Sequence, residues 1–312
     1  MKKILPENWS EEYIEINGHK EYLLHLKAAS DKPVLLYIHG GPGSSESCFS
    51  HIIEKEFSGA YTMVFYDQSG CGYSYLANKK VRPTLDMLKE DLLMTVLHLK
   101  QKYGKDKIGI VGHSFGSVLG MELAKEHPEH VLMYIGVNQV VDFYDNEVLG
   151  YKKAVEVAKA NNAHKILNAI DNLGEYPTHE FDKTFQKKLG AFRRIQAKLG
   201  LGVDSMKLIK AYKNNPTYSG RLMFPLIKAM SINKLLFQEM WKLSLKGADC
   251  YEVPVYFILG EKDWQAPYEI AQEYLEKISA PVKKCFLIQN AGHFSAMDNY
   301  EQYQKAMKEI IG

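Results

Sequence analysis

Six short apolar runs limit what this chain can fold into: Pro33–Ile38, Tyr61–Tyr66, Lys107–Val111, Val131–Val137, Val253–Leu259 and Cys285–Ile288. Each is nearly unbroken rather than alternating, which is how strands buried on both faces of a parallel sheet read. Helix-like stretches separate them. After the second run, Thr84 has the chemistry of an N-cap, and Leu85, Leu88, Leu92, Val96 and Leu99 form a helical stripe that stops near Gly104. Strand alternating with helix predicts a mostly parallel sheet with helices on both faces. Two earlier segments, Tyr13–Ile16 and Lys20–Leu26, alternate more and suit an antiparallel hairpin turning at Asn17-Gly18.

Between the fourth and fifth runs the character of the chain changes. From Asp142 to Asp249 there is no strand-like run; the segment is Lys-rich, helical in pattern and broken near Pro177, Pro216 and Pro225. It holds 18 Lys and Arg against 11 Asp and Glu, a local +7 that leaves the rest at −5. The expected organisation is a core of residues 1–141 and 250–312 carrying a helical cap of residues 142–249. A basic insertion could face an acidic ligand, although solvated helix faces carry such charge equally well. With a net charge of only +2, the whole chain gives no reason to expect nucleic acid or an anionic membrane as partner.

Four cysteines, Cys48, Cys71, Cys250 and Cys285, lack ligand spacing and read as free thiols of a reducing compartment. The opening Met1–Leu5 starts like a leader, but Pro6, Glu7 and Asn8 end the apolar run before a hydrophobic segment forms. No apolar stretch approaches the roughly 18 residues of a membrane helix. The expected location is the cytoplasm.

The chemistry concentrates at the ends of the apolar runs. Gly112-His-Ser-Phe-Gly116 directly follows the third run and precedes a helical stretch. G-x-S-x-G in a strand–turn–helix context is a nucleophile elbow: a strained turn lifts the Ser114 hydroxyl above the sheet, and flanking glycines admit neighbouring backbone. The helix starting near Phe115 points its partly positive end at the place where negative charge develops. His39-Gly-Gly-Pro-Gly43 ends the first run at the same sheet edge, where open α/β sheets bind ligands. Its glycines let the Gly41 amide face an oxyanion, with the Phe115 amide as second donor. The Lys-Ser/Thr pair that marks a phosphate cradle does not follow these glycines, which speaks against one.

Of eleven histidines, His293 in Asn290-Ala-Gly-His-Phe294 follows the last run and is placed to serve as base; His39 and His113 read as packing and positioning residues. On this strand–turn–helix plan the acid falls between nucleophile and base. Asp263, in Gly260-Glu-Lys-Asp-Trp264, ends the fifth run at the correct edge, and Asp142, just past the fourth, is the runner-up. Its task is to fix the imidazole tautomer and stabilise the imidazolium. These residues call for no metal or organic cofactor.

With these motifs the chain resembles the α/β-hydrolase superfamily over almost its full length, cap excluded. His39–Gly43 together with Asp67-Gln-Ser-Gly-Cys-Gly-Tyr-Ser74 is most similar to the prolyl iminopeptidase group of serine peptidases. The resemblance implies an α/β-hydrolase fold with a helical cap after the sixth strand, and removal of N-terminal residues from a short peptide or small amide. It also implies cap carboxylates that hold the substrate amine; Glu147, Glu175 and Glu239 are the candidates. The chain departs from the group at Ser69, where an arginine is usual, and lacks its Trp-x-x-Trp-Glu type pattern. A carboxylesterase acting on small acyl esters is the alternative. A non-enzymatic ligand-binding protein of this fold would show a broken triad. Epoxide hydrolases and haloalkane dehalogenases carry Asp where this chain has Ser114. The oligomeric state is not encoded in any of these features.

Overall fold

A computed structural model describes residues 5–26, 29, 31–53, 60–200, 205–247 and 250–312. Residues 1–4, the start of the leader-like run, and Asp249, the expected end of the cap, lie outside the described residues. Among the described residues, eight strands form one sheet: β1 (Trp9–Ile16), β2 (His19–Leu26), β3 (Val34–Ile38), β4 (Thr62–Asp67), β5 (Ile108–His113), β6 (Val131–Val137), β7 (Val255–Gly260) and β8 (Lys283–Ile288). Their order is β1-β2-β4-β3-β5-β6-β7-β8. β2 runs antiparallel to both neighbours, and all other pairings are parallel.

The hairpin turns where its residues demand. Asn17 and Gly18 both take positive φ, 50° and 80°, the geometry a two-residue turn needs to match strand twist. β3 shows why the apolar runs are unbroken. Val34, Leu36 and Ile38 pack with the helices Leu85–Tyr103 and Phe115–Glu126 on one face, while Leu35 and Tyr37 pack with Met63, Phe65 and the C-terminal helix Tyr300–Ile311 on the other. Thr84 caps the helix Leu85–Tyr103 by accepting from the Met87 amide (3.3 Å), and Gly104 ends it at φ 60°.

The last two strands each start two residues away from their apolar runs. β7 starts at Val255 rather than Val253, because Pro254 has no N–H to give the ladder. β8 starts early, at Lys283; it is the outer strand, and its exposed lysines hide the pattern while discouraging edge pairing.

Between β6 and β7 the described residues form helices and short turns, among them Phe143–Ala160, His164–Asp171, Lys183–Lys198, Ser205–Asn214 and Lys234–Met240, with one isolated bridge between Asp142 and Ser244. This insertion has its own core, with Tyr176, Phe181, Phe185, Phe192 and Trp241 buried together. Pro225 does not break it. It sits in the first turn of the helix Met223–Ile227, where amides have no helical acceptor anyway.

The helix Phe115–Glu126 lies so close to the sheet that glycine is obligatory at its second residue. A Cβ on Gly116 would stand 2.3 Å from the Ile38 carbonyl oxygen and 2.5 Å from that of His39. Both are backbone atoms and cannot swing away. Gly116→Ala is therefore expected to destabilise the protein by about 1–3 kcal/mol or more, the usual cost of overpacking. Gly220→Ala, with nothing within 4 Å of its Cβ, should stay within about 0.5 kcal/mol of wild type. Urea unfolding of the two variants checks this; equal midpoints would refute it.

Candidate active site

Ser114 stands where β5 hands over to the helix Phe115–Glu126. Its backbone is held at φ 51°, ψ −122°, a conformation costing about 1–3 kcal/mol for a residue with a side chain. The surroundings enforce it. The Ser114 amide donates to the Val137 carbonyl (3.1 Å), and a Cβ on Gly112 would meet the Gly116 carbonyl oxygen at 2.6 Å. The hydroxyl is thereby aimed out of the sheet edge, with the residue 9% exposed.

The loops after β7 and β8 bring Asp263 and His293 to the same edge. His293 Nε2 lies 2.9 Å from Ser114 Oγ, and its Nδ1 lies 2.8 Å from Asp263 Oδ2. A carboxylate only accepts, so Nδ1 carries the proton and Nε2 is left to accept from the serine hydroxyl. Asp263 is fully engaged: Oδ1 accepts from the Gln265 and Ala266 amides (2.9 and 3.0 Å), and Oδ2 also accepts from Asn138 Nδ2 (2.6 Å). Burial pushes its carboxyl up, but the attraction and hydrogen bond of His293 and the two amides outweigh it and hold the group below its ordinary value. Asp142 is placed differently. It caps the helix Phe143–Ala160 by accepting from the Asp145 amide (2.9 Å).

Gly41, in the loop after β3, has φ 116°, and a Cβ there would lie 2.5 Å from the Gly43 amide nitrogen. With Ser114 and His293 it lines a cavity of about 240 Å³ whose other walls come largely from the helical insertion. Phe115, wholly buried, is the first residue of the elbow helix. His39 holds the loop together: its Nδ1–H donates to the Gly40 carbonyl (2.7 Å), and Nε2 accepts from the Gln68 amide (3.1 Å).

The three carboxylates of the insertion part company. Glu147 lines the cavity, is 5% exposed, and pairs with both terminal nitrogens of Arg193 while accepting from Tyr176 Oη (2.6 Å). Glu239 instead accepts from the Leu85 amide (2.6 Å), at the start of a core helix. Glu175 is exposed, and its carbonyl accepts from Lys188 Nζ (2.8 Å). Neither of these lines the cavity. Sequence reasoning missed Asn138 and Arg193. Asn138 follows β6 at φ 48° and ties Asp263 to the Gly292 carbonyl (3.2 Å), a role no motif announces. The insertion also touches the Asp263 loop: Gln196 Nε2 donates to the Trp264 carbonyl (3.1 Å), and a Cβ on Gly150 would lie 2.5 Å from that oxygen.

Among the described residues, the one cluster of metal-ligand types is His19, Glu21 and Asp91, all buried. Its members pair chiefly with one another, and Glu21 Oε2 is buried without a hydrogen-bond partner. His19 Nε2 lies 3.1 Å from Glu21 Oε1 and 2.9 Å from Asp91 Oδ2, and its hydrogen bond to Glu21 helps raise it to about 9. Ser69 and Asn17 donate to the two carboxylates. His19 thus supplies positive charge to this buried group beside Ser69.

Residues 33–300 match the family model described as alpha/beta hydrolase fold. The "Probable aminopeptidase YbaC" of Bacillus subtilis (strain 168) is 24% identical over 291 residues, covering 90% of this chain and 89% of its own. The proline iminopeptidase of Lactobacillus helveticus is 22% identical over 317 residues, covering 94% and 95%. The crystal structure of a proline iminopeptidase-related protein from Thermus thermophilus superimposes with a TM-score of 0.64 at 21% identity, over 96% of each chain. At such identities a solved structure speaks for the fold alone. The family match, spanning most of the chain and enclosing the elbow, both loops and the cavity, makes this protein a member of the alpha/beta hydrolase fold family.

Proposed function

We propose that the protein is a serine hydrolase that cleaves a small amide or N-terminal peptide bond, as a prolyl iminopeptidase-like aminopeptidase. The observation that carries this reading is the continuous relay from Asp263 through His293 to Ser114 Oγ, with 2.8 and 2.9 Å steps, opening on one cavity. Ser114 attacks the carbonyl carbon while His293 takes its proton; the oxyanion sits between the Gly41 and Phe115 amides. His293⁺ then protonates the leaving amine, and water, activated by the same base, releases the acid from the ester on Ser114. The names of the Bacillus and Lactobacillus relatives support the choice of an amine-terminated substrate.

In this reading Glu147 receives the substrate ammonium, since among the described residues of the insertion it is the carboxylate that lines the cavity. Its existing pair with Arg193 favours the second reading, a carboxylesterase for small acyl esters, because a carboxylate already neutralised attracts an ammonium less. Division into a core of residues 1–141 and 250–312 and a cap of 142–249 fits both readings, with the cap choosing the substrate.

Ser114→Ala is expected to lower kcat on the order of 10⁶-fold while leaving the circular dichroism spectrum unchanged. A variant with near-wild-type rates on every substrate would refute the nucleophile.

Asp263→Asn should cost roughly 10⁴-fold, by favouring the wrong imidazole tautomer. Asp142→Asn should leave kcat near wild type and cost well under about 1 kcal/mol of stability, since Asn caps a helix about as well as Asp. The reverse ranking in side-by-side kinetics would move the acid to Asp142.

Glu147→Gln separates the two substrate classes. If Glu147 holds the amine, proline and alanine arylamides lose binding worth about 2–5 kcal/mol, while N-acylated amides and arylesters keep their rates. Wild-type protein that hydrolyses arylesters and ignores every free-amine arylamide would replace the aminopeptidase reading by the esterase.

A further inference from the structure

Beside the relay lies a second buried ionic pair that the reaction scheme does not use. Glu46, four residues after Pro42, is 1% exposed, and His113, immediately before Ser114, is 2% exposed. Glu46 Oε1 lies 2.7 Å from His113 Nδ1 and 3.1 Å from the Gly40 amide, which donates to it. The other ring nitrogen, His113 Nε2, donates to the backbone carbonyl of His293 at 2.8 Å. With Glu46 ionised, each of the two ring nitrogens faces a group that only accepts. Both must carry a proton, so His113 is an imidazolium.

We propose that His113⁺ and Glu46⁻ are a positioning pair that locks three parts of the site together: the Gly40-Gly41 loop, the elbow and the His293 loop. Glu46 fixes the peptide next to the Gly41 oxyanion donor. His113 fixes the carbonyl of the base from the residue adjoining the nucleophile. One proton on His113 is the hinge of the arrangement, because a neutral imidazole keeps only one of its two donor bonds. The proposal rests on Ser114 and His293 being nucleophile and base.

The groups that face the pair agree with these charges. Burial lowers His113, but the attraction and hydrogen bond of Glu46 raise it further, and Glu46, which burial would raise, is held below its ordinary value by His113. Asp263, on the β7 loop, adds to the pull on His113. His39, beside β3, is pushed down by burial and stays neutral; Tyr37 of β3 and Tyr303 of the C-terminal helix are pushed up by burial and stay neutral. His293 lies with its ring centre 5.1 Å from that of His113. The site at rest then carries Asp263⁻, Glu46⁻ and His113⁺, so the proton that His293 accepts in turnover enters a region of net negative charge. The sign of the pH effect follows. As pH rises through the raised value of His113, the ring loses a proton, one of its bonds breaks, and the site loosens on its alkaline side.

Glu46→Gln keeps the shape of the side chain and its acceptor for the Gly40 amide, but removes the charge that keeps His113 protonated. The probe is a fluorophosphonate, which phosphonylates an activated serine and requires no knowledge of the substrate. Its second-order rate with Ser114 is expected to fall on the order of 10²-fold in the variant, the cost of roughly 1 Å of misplacement. The alkaline limb of its pH profile should also move to lower pH, a shift that a space-filling role could not produce. An unchanged rate and profile overturn the proposal. Should the variant fail to fold, ¹⁵N-histidine NMR of the wild-type protein decides: two protonated ring nitrogens on His113 at pH 7 support the pair, and one refutes it. Failure of the wild type to react with the fluorophosphonate at all refutes the serine hydrolase reading instead.

Discussion

The site depends on a single backbone conformation. Ser114 is held at φ 51° because β5 must end against β6 and the following helix must start against β3, with no room between them for a normal turn. Tight packing imposes the strain: Gly112 and Gly116 each meet carbonyl oxygens at distances a side chain could not tolerate. The sheet stabilises what the turn costs, since a few kcal/mol at one residue is small against a core in which β3 to β7 are buried on both faces. Placement of the Ser114 hydroxyl is therefore a by-product of how the helix packs, and the remaining groups have only to arrive at the same edge.

They arrive by topology. In a parallel sheet every strand ends on the same side, so the loops after β3, β5, β7 and β8 are neighbours although Gly41 and His293 lie far apart in sequence. Asn138, after β6, joins the same edge and hydrogen-bonds to Asp263 and the Gly292 carbonyl. Every strand from β3 to β8 thus contributes at least one residue to the site or to its support, with Gln68 after β4 holding His39.

What could be read from the sequence follows from how local its cause is. The elbow, the hairpin at Asn17-Gly18 and the Thr84 cap are set by residues within a few positions of each other, and their patterns are visible. The two loop residues Asp263 and His293 were legible because strand ends are legible. Nothing local separates Glu147 from Glu239. Both lie on amphipathic helices of the insertion, and only the packing of those helices sends one into the cavity and the other to the Leu85 amide. The same holds for Glu46 and His113. A glutamate in a polar run and a histidine inside a motif gain their meaning from a contact across 67 residues. Edge strand β8 was harder to delimit for a different reason: exposure relaxes the demand for apolar residues, so its first two lysines carry no strand signal.

The contact between the helical insertion and the Trp264 carbonyl bears on how such enzymes diversify. Members of a fold family are often regarded as a fixed engine with exchangeable lids. Here the lid is not simply exchangeable. Gly150 leaves the space that the carbonyl occupies and Gln196 holds it, one residue away from Asp263, which hydrogen-bonds to His293. A transplanted lid bringing any larger residue to the place of Gly150 would press on that loop before it met a substrate. A change in the insertion at this small patch is thus a change in the Asp263 loop as well, so the two are mechanically linked rather than separate modules.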